Sequence, residues 1–288
     1  MEHTRKIQSV GKRSYAVSLP KEWIVKNNLD AKKSINIIES DNNLILSTKI
    51  TQEERKIDIK IDDLKTIPNI IILAYSKGIS ELILEFKNNK TYLDAKIIVH
   101  KILKFMEGFK IEEEENHKIK IISFYKDSQI EIKKLAKMML SSINQMIECE
   151  KNSQKETKKI LENETDYLYY LSKRSLFICS TNEKIKIKNN IADIEEIFLW
   201  RTIFRKLENI GDVIEKSKMK NDDAKEIIEH LNEILILGKT PHTSKISELR
   251  NRLYDEKGTT KILELTIDIL DCLLQIELNK KYFAINKL

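Results

Sequence analysis

Hydrophobic and polar residues alternate at the start of the chain in a pattern that predicts two short strands followed by a short helix. The alternating stretches are residues 5–10 and 14–19, and the Gly11-Lys12-Arg13 string between them is typical of a turn. Pro20 cannot donate to a strand pairing and is suited to the start of a helix. We therefore predict a helix at residues 21–28.

A second pair of alternating stretches, at residues 34–39 and 44–48, predicts a hairpin around a turn of short polar residues. The order within residues 1–50 is then strand, strand, helix, strand, strand. Such a small segment has a thin core for a monomer, so we expect it to pair with a second copy of the chain.

The next part of the chain, residues 51–126, mixes strand and helix patterns and predicts a small α/β domain that acts as a spacer or dimerisation domain. Apolar residues recur there with a period of two in some stretches and with helical spacing in others. The predicted strands are residues 56–61, 81–86, 109–113 and 118–124, and the predicted helices are residues 63–77 and 92–106.

The last part, residues 127–288, is almost entirely helical in pattern, with long amphipathic stretches and short links that predict an antiparallel bundle. The fold class expected for the whole chain is therefore α+β multidomain, with domains at 1–50, 51–126 and 127–288. The predicted helices are residues 130–150, 153–179, 191–219, 222–237 and 244–279, the last broken near Gly258.

The charge distribution singles out the first segment. The net charge is +6, and the first fifty residues carry nine basic and five acidic residues. A local positive excess is typical of a protein that binds the phosphate backbone of nucleic acid, although it is also common on solvated surfaces. Three scattered cysteines and the lack of a long apolar run indicate a cytoplasmic protein without membrane insertion.

Two strings in the first segment resemble the swapped-hairpin domain of the AbrB/SpoVT/MazE family. They are Arg5-Lys6-Ile7-Gln8-Ser9-Val10-Gly11 and Tyr15-Ala16-Val17-Ser18-Leu19-Pro20-Lys21-Glu22-Trp23, and the second is most similar to the version fused to archaeal PhoU-like regulators. The resemblance implies that two chains exchange hairpins into one β-barrel. It also implies DNA contacts from Arg5, Lys6, Lys12, Arg13, Ser14 and Lys21. The alternative is a dimeric domain with ordinary solvated charges, as in antitoxin relatives whose main partner is a protein.

Two predicted helices carry acidic residues four positions apart, Glu162 with Asp166 and Glu208 with Asp212. This spacing puts each pair on one helical face, and two such faces would offer carboxylate oxygens to a hard cation. With 45 acidic residues in the chain, such pairs also arise by chance.

The strings around these acids resemble the acidic motifs of PhoU, the phosphate-uptake regulator built of helical bundles. The resemblance implies that these four residues hold one or more divalent or ferric ions. The family often has His after the Gly-Asp pair, where this chain has Val213.

The two resemblances together imply a DNA-binding transcriptional regulator of phosphate uptake and phosphate homeostasis. Its expected partners are double-stranded DNA, a second copy of the chain and a phosphate transporter ATPase. We find neither a glycine-rich phosphate loop nor a nucleophile–His pair, so we expect no enzymatic activity. The alternatives are a PhoU-type adaptor that restrains a phosphate transporter with little DNA binding, and a carboxylate-bridged metalloenzyme.

Overall fold

The protein forms two compact units, Met1–Glu53 and Glu54–Leu288, which are described separately. The division between them lies three residues beyond the predicted boundary at residue 50, whereas the α/β segment and the helical segment belong to the same unit. The computed structural model describes residues 4–29, 34–40, 43–47, 55–125, 131–216, 221–255 and 260–283.

The N-terminal unit consists of two separate hairpins and one short helix. Strands β1 (Gln8–Val10) and β2 (Ser14–Ala16) pair antiparallel, helix α1 (Lys21–Lys26) follows, and β3 (Asn36–Ser40) pairs antiparallel with β4 (Asn43–Ser47). The predicted closed barrel is not formed by the described residues of the single chain, because the two sheets have two strands each and do not pair with one another. A barrel would need strands from a second chain.

The larger unit begins with a four-stranded mixed sheet in the order β5-β6-β8-β7. Strands β5 and β6 are parallel, and the other two pairings are antiparallel. Helix α2 follows a 3-10 turn, and Pro68 lies in its first turn, where its missing N–H is harmless. The elements are β5 (Lys56–Ile61), α2 (Ile67–Ser76), β6 (Glu81–Phe86), α3 (Asn89–Leu103), β7 (Phe109–Glu115) and β8 (Lys118–Ser123).

A helical bundle completes the larger unit, in agreement with the predicted helical C-terminus. Helix α6 was not predicted, and α8 and α10 each continue into a short π-helical segment. The predicted break near Gly258 lies outside the described residues. The helices are α4 (Ile132–Lys151), α5 (Lys155–Thr181), α6 (Glu183–Lys188), α7 (Ile194–Lys216), α8 (Asn221–Leu231), α9 (Thr243–Asp255) and α10 (Thr260–Leu278).

A buried arginine joins the sheet part to the bundle. Arg174 of α5 is 2% exposed and donates from Nη1 to the backbone carbonyl of Tyr75 at the end of α2, over 3.0 Å. Its guanidinium lies over the rings of Tyr75 and Tyr125, 5.3 and 5.4 Å from their centroids. One hydrophobic core runs through the sheet and the helices. This shared core explains why the two segments form one unit.

Candidate functional site

The tip of the first hairpin carries the densest group of predicted DNA contacts. Gly11 has φ of 70°, a conformation that glycine adopts without strain, and it opens a turn that continues through Lys12 and Arg13. The Ser14 hydroxyl donates to the Val10 carbonyl across this turn. The turn is therefore held locally, with both cationic side chains exposed at its tip.

The other three predicted DNA contacts are exposed as well. Arg5 and Lys6 precede β1 closely, and Lys21 is the first residue of α1. Their placement leaves all of these cations accessible within the N-terminal unit. Lys21 therefore belongs to α1 and not to the hairpin.

Apolar side chains of the same unit are also exposed. Tyr15 is 78% exposed, Ile7 73% and Leu44 67%, and the described residues from 4 to 18 are all exposed. Isolated two-stranded hairpins are marginally stable in water. This unit thus presents an apolar surface that a single chain leaves uncovered.

Three of the four predicted acidic residues lie together between α5 and α7. Glu162 and Asp166 of α5 and Asp212 of α7 each bring an oxygen within 4.8 Å of the others. We call these three residues the acidic cluster. Glu208 lies one turn before Asp212 and is not one of the three. In addition to burial, the charges of Asp212 and Asp166 nevertheless reach it and raise the pKa of its carboxyl.

A glycine allows the two helices to approach at this point. A Cβ placed on Gly211 would lie 3.3 Å from Cγ2 of Thr165, which is tighter than an ordinary contact. Thr165 is buried and donates its hydroxyl to the Leu161 carbonyl over 2.9 Å. Its methyl group therefore faces α7, and Gly211 accommodates it.

The carboxylates of the cluster repel one another in a half-buried setting. Burial first, and then the charges of Glu162 and Asp212, raise the pKa of Asp166 to about 6, against the opposing effect of Lys159 and Lys216. The pKa of Glu208 is raised for similar reasons, first by burial and then by Asp212 and Asp166.

Two lysines balance part of this negative charge. Lys159 binds Glu162 over 2.7 Å, and Lys216 binds Asp212 over 2.5 Å. Neither lysine was predicted from the sequence, although their spacing of three and four residues from the acids would have identified them. The two lysines bind the carboxylates of Glu162 and Asp212, so the negative charge of Asp166 is the least compensated of the three.

The residues of the cluster suit a hard cation. Carboxylate oxygens are the ligands that Mg²⁺, Mn²⁺ and Ca²⁺ prefer, and three of them converge here with unbalanced negative charge. Val213, at the position where the PhoU motif often has His, is partly buried and packs against the core. A cation at this place would thus be held by Glu162, Asp166 and Asp212 through oxygen.

Comparison with known proteins identifies the N-terminal part alone. Residues 8–55 match the family described as antidote-toxin recognition MazE, bacterial antitoxin. No curated protein and no solved structure matches the chain. The chain therefore carries a MazE/AbrB-like domain at residues 8–55, which confirms the N-terminal resemblance, while the PhoU-like part stays a prediction.

The match indicates an antitoxin or a DNA-binding regulator as the class of protein. Domains of this kind typically dimerise and bind DNA. Within the described ranges, no helix is long and apolar enough to cross a membrane.

Proposed function

We propose that this protein is a non-enzymatic, DNA-binding transcriptional regulator whose N-terminal domain acts as a dimer. The observation that carries the proposal is the exposed Lys12-Arg13 tip, together with Arg5 and Lys6, within or beside the stretch that matches the MazE family. Exposed Lys and Arg side chains on one hairpin suit contacts with successive phosphates.

The uncovered apolar residues support the dimer. Ile7, Tyr15 and Leu44 would each be removed from water if two chains closed their hairpins into one barrel. A two-fold symmetric protein would present two Lys12-Arg13 tips, which favours a roughly two-fold symmetric DNA site.

For the larger unit we propose a sensory role, in which the acidic cluster binds a metal ion or a partner and alters DNA binding. We also propose that the regulated genes serve phosphate uptake and phosphate homeostasis. This part of the proposal rests only on the resemblance of the acidic strings of α5 and α7 to those of PhoU. A transporter ATPase is the partner expected if the protein also acts as an adaptor.

The direct test is to recover DNA bound to the full-length protein. Fragmented genomic DNA is incubated with wild type, with an Arg5→Ala/Lys12→Ala/Arg13→Ala variant, and with Lys110→Ala, which removes an exposed cation of β7. We expect enriched fragments with wild type and with the β7 control, and no enrichment with the triple variant. Enrichment near phosphate-transport genes would support the phosphate role.

A second candidate function, an antitoxin, is favoured by the description of the matched family and by the exposed apolar surface of the N-terminal unit. In that case the main partner is a protein, and the triple variant should still bind this protein. Equal recovery of DNA by wild type and by the triple variant would exclude the DNA-binding proposal in favour of this one.

A further inference from the structure

A groove between α2, α5 and α7 lies in the larger unit, away from the acidic cluster along the same two bundle helices. Its volume is about 580 Å³. Its apolar lining includes Leu73 of α2, Phe177 of α5, and Ile194 and Phe198 of α7. Three of these side chains, Leu73, Ile194 and Phe198, are 55–58% exposed. The groove is therefore an apolar surface left open to water.

The charged side chains lining this groove are all cations. They are Lys77, Lys173 and Arg201, and no carboxylate belongs to the lining. Within the described residues, none of the three forms an ion pair of 4.0 Å or less. By contrast, the buried Lys158 of the same unit is paired with the carboxylate of Glu150.

Lys173 is the most constrained of these cations. Its ammonium lies over the rings of Tyr169 and Tyr170, 5.5 and 5.7 Å from their centroids. Burial lowers its pKa, and the nearby Arg201 and Arg205 lower it further, with Glu208 acting in the other direction. Three cations thus line one apolar groove, in a setting that an anion would neutralise.

We propose that this groove binds an amphipathic organic anion, with its carboxylate or phosphate head beside Lys173 and Arg201 and its apolar body against Leu73, Phe177 and Phe198. Charge complementarity selects the head, because every ionised group of the lining is positive. The apolar walls select a body without charges.

The size of the groove fits a small molecule. Small-molecule sites typically span about 300–1,000 Å³, and the groove falls within this range. The proposal is independent of DNA binding and can fail or succeed without it.

The test is calorimetric titration of the full-length protein with dodecanoate and dodecyl phosphate, both kept below the concentration at which they form micelles. Dodecyltrimethylammonium, which has the same tail and a cationic head, is the matched ligand control. We expect saturable one-to-one binding of at least one anion and at least tenfold weaker binding of the cation. The tighter anion identifies the head that the site accepts.

Two pairs of variants locate the binding. Lys173→Gln/Arg201→Gln should lower the affinity for the anion at least tenfold, whereas Lys110→Gln should leave this affinity unchanged. Phe198→Ser should weaken it similarly, whereas Ile160→Ser, which removes a comparably exposed apolar side chain of α5, should not.

Three results would overturn the proposal. They are no binding of either anion, equal binding of the anions and the cation, and affinities unchanged by the groove variants. If instead light scattering shows wild-type oligomers that Phe198→Ser dissociates, and neither anion binds, the groove is covered by a second copy and the proposal is wrong.

Discussion

Replacing Asp166 by Asn should stabilise the metal-free protein, because this carboxylate stands among like charges. Its folded pKa of about 6 lies well above its ordinary value of 3.8. A difference of one in pKa corresponds to about 1.4 kcal/mol, so the ionised carboxylate costs at most about 3 kcal/mol. Since the group keeps some contact with water, we expect Asp166→Asn to raise the free energy of unfolding by about 1–2 kcal/mol at pH 7.5.

The pH dependence has a definite sign. A carboxyl whose folded pKa is raised binds its proton more readily in the native state. The contribution of Asp166 to native stability therefore falls as pH rises from about 4 to about 6 and is constant above. The advantage of Asp166→Asn over wild type should therefore shrink as the pH is lowered to 4.5.

The assay is urea denaturation in EDTA, followed by far-UV circular dichroism, at pH 7.5 and 4.5. Glu164→Gln is the matched control, because this neighbour is exposed and is not one of the three cluster residues. Addition of Mn²⁺ should stabilise wild type, by about 2.7 kcal/mol at a hundred times its dissociation constant, but not Asp166→Asn. An Asp166→Asn protein less stable than wild type at pH 7.5 in EDTA would refute the reasoning, and an absent Mn²⁺ effect would refute the metal site.

Two further predictions concern the larger unit. Gly78 and Gly108 both have positive φ, but a Cβ on Gly108 would meet the Tyr125 backbone nitrogen at 2.8 Å, whereas on Gly78 its nearest contact is at 3.6 Å. In urea denaturation Gly78→Ala should therefore cost about 1 kcal/mol and Gly108→Ala at least about twice that, and equal costs would contradict this. Arg174→Met should cost about 1–3 kcal/mol, because it removes a buried charged hydrogen bond to the Tyr75 carbonyl and the guanidinium contacts with the rings of Tyr75 and Tyr125. The exposed Arg205→Met should cost little, and similar costs would show that the buried contact is unimportant.

The elements in which apolar residues recur with a clear period were the easiest to predict. The strands at residues 56–61 and 81–86 have the predicted bounds, because alternation and flanking polar residues define both ends. Helix α3 begins three residues earlier than predicted, because Asn88 caps it by accepting a hydrogen bond from the Thr91 N–H. Helix α6 was missed since its alternating Lys and Ile residues mimic a strand, and the Asn182 cap decides for the helix.

The two candidate sites of the larger unit also differ in how far the sequence predicts them. Helical spacing, which is visible in the sequence, puts Glu162 and Asp166 on one face of α5. Their meeting with Asp212 depends on the close approach of α5 and α7 at Gly211, which the structure shows. The groove between α2, α5 and α7 has no local signature, because its walls come from segments far apart in the chain. The packing of α5 against both α2 and α7 brings these walls together.

The central claim, that the N-terminal hairpin binds DNA backbone, is tested most directly by the salt dependence of DNA affinity. Fluorescence anisotropy measures the dissociation constant of the full-length protein for a labelled duplex from about 50 to 200 mM salt. We predict a steep linear decrease of log affinity with log salt, and Arg13→Ala should weaken binding and reduce the slope by about one for each phosphate that the variant no longer neutralises. An affinity that does not respond to salt, or an Arg13→Ala protein indistinguishable from Lys110→Ala, would contradict the account.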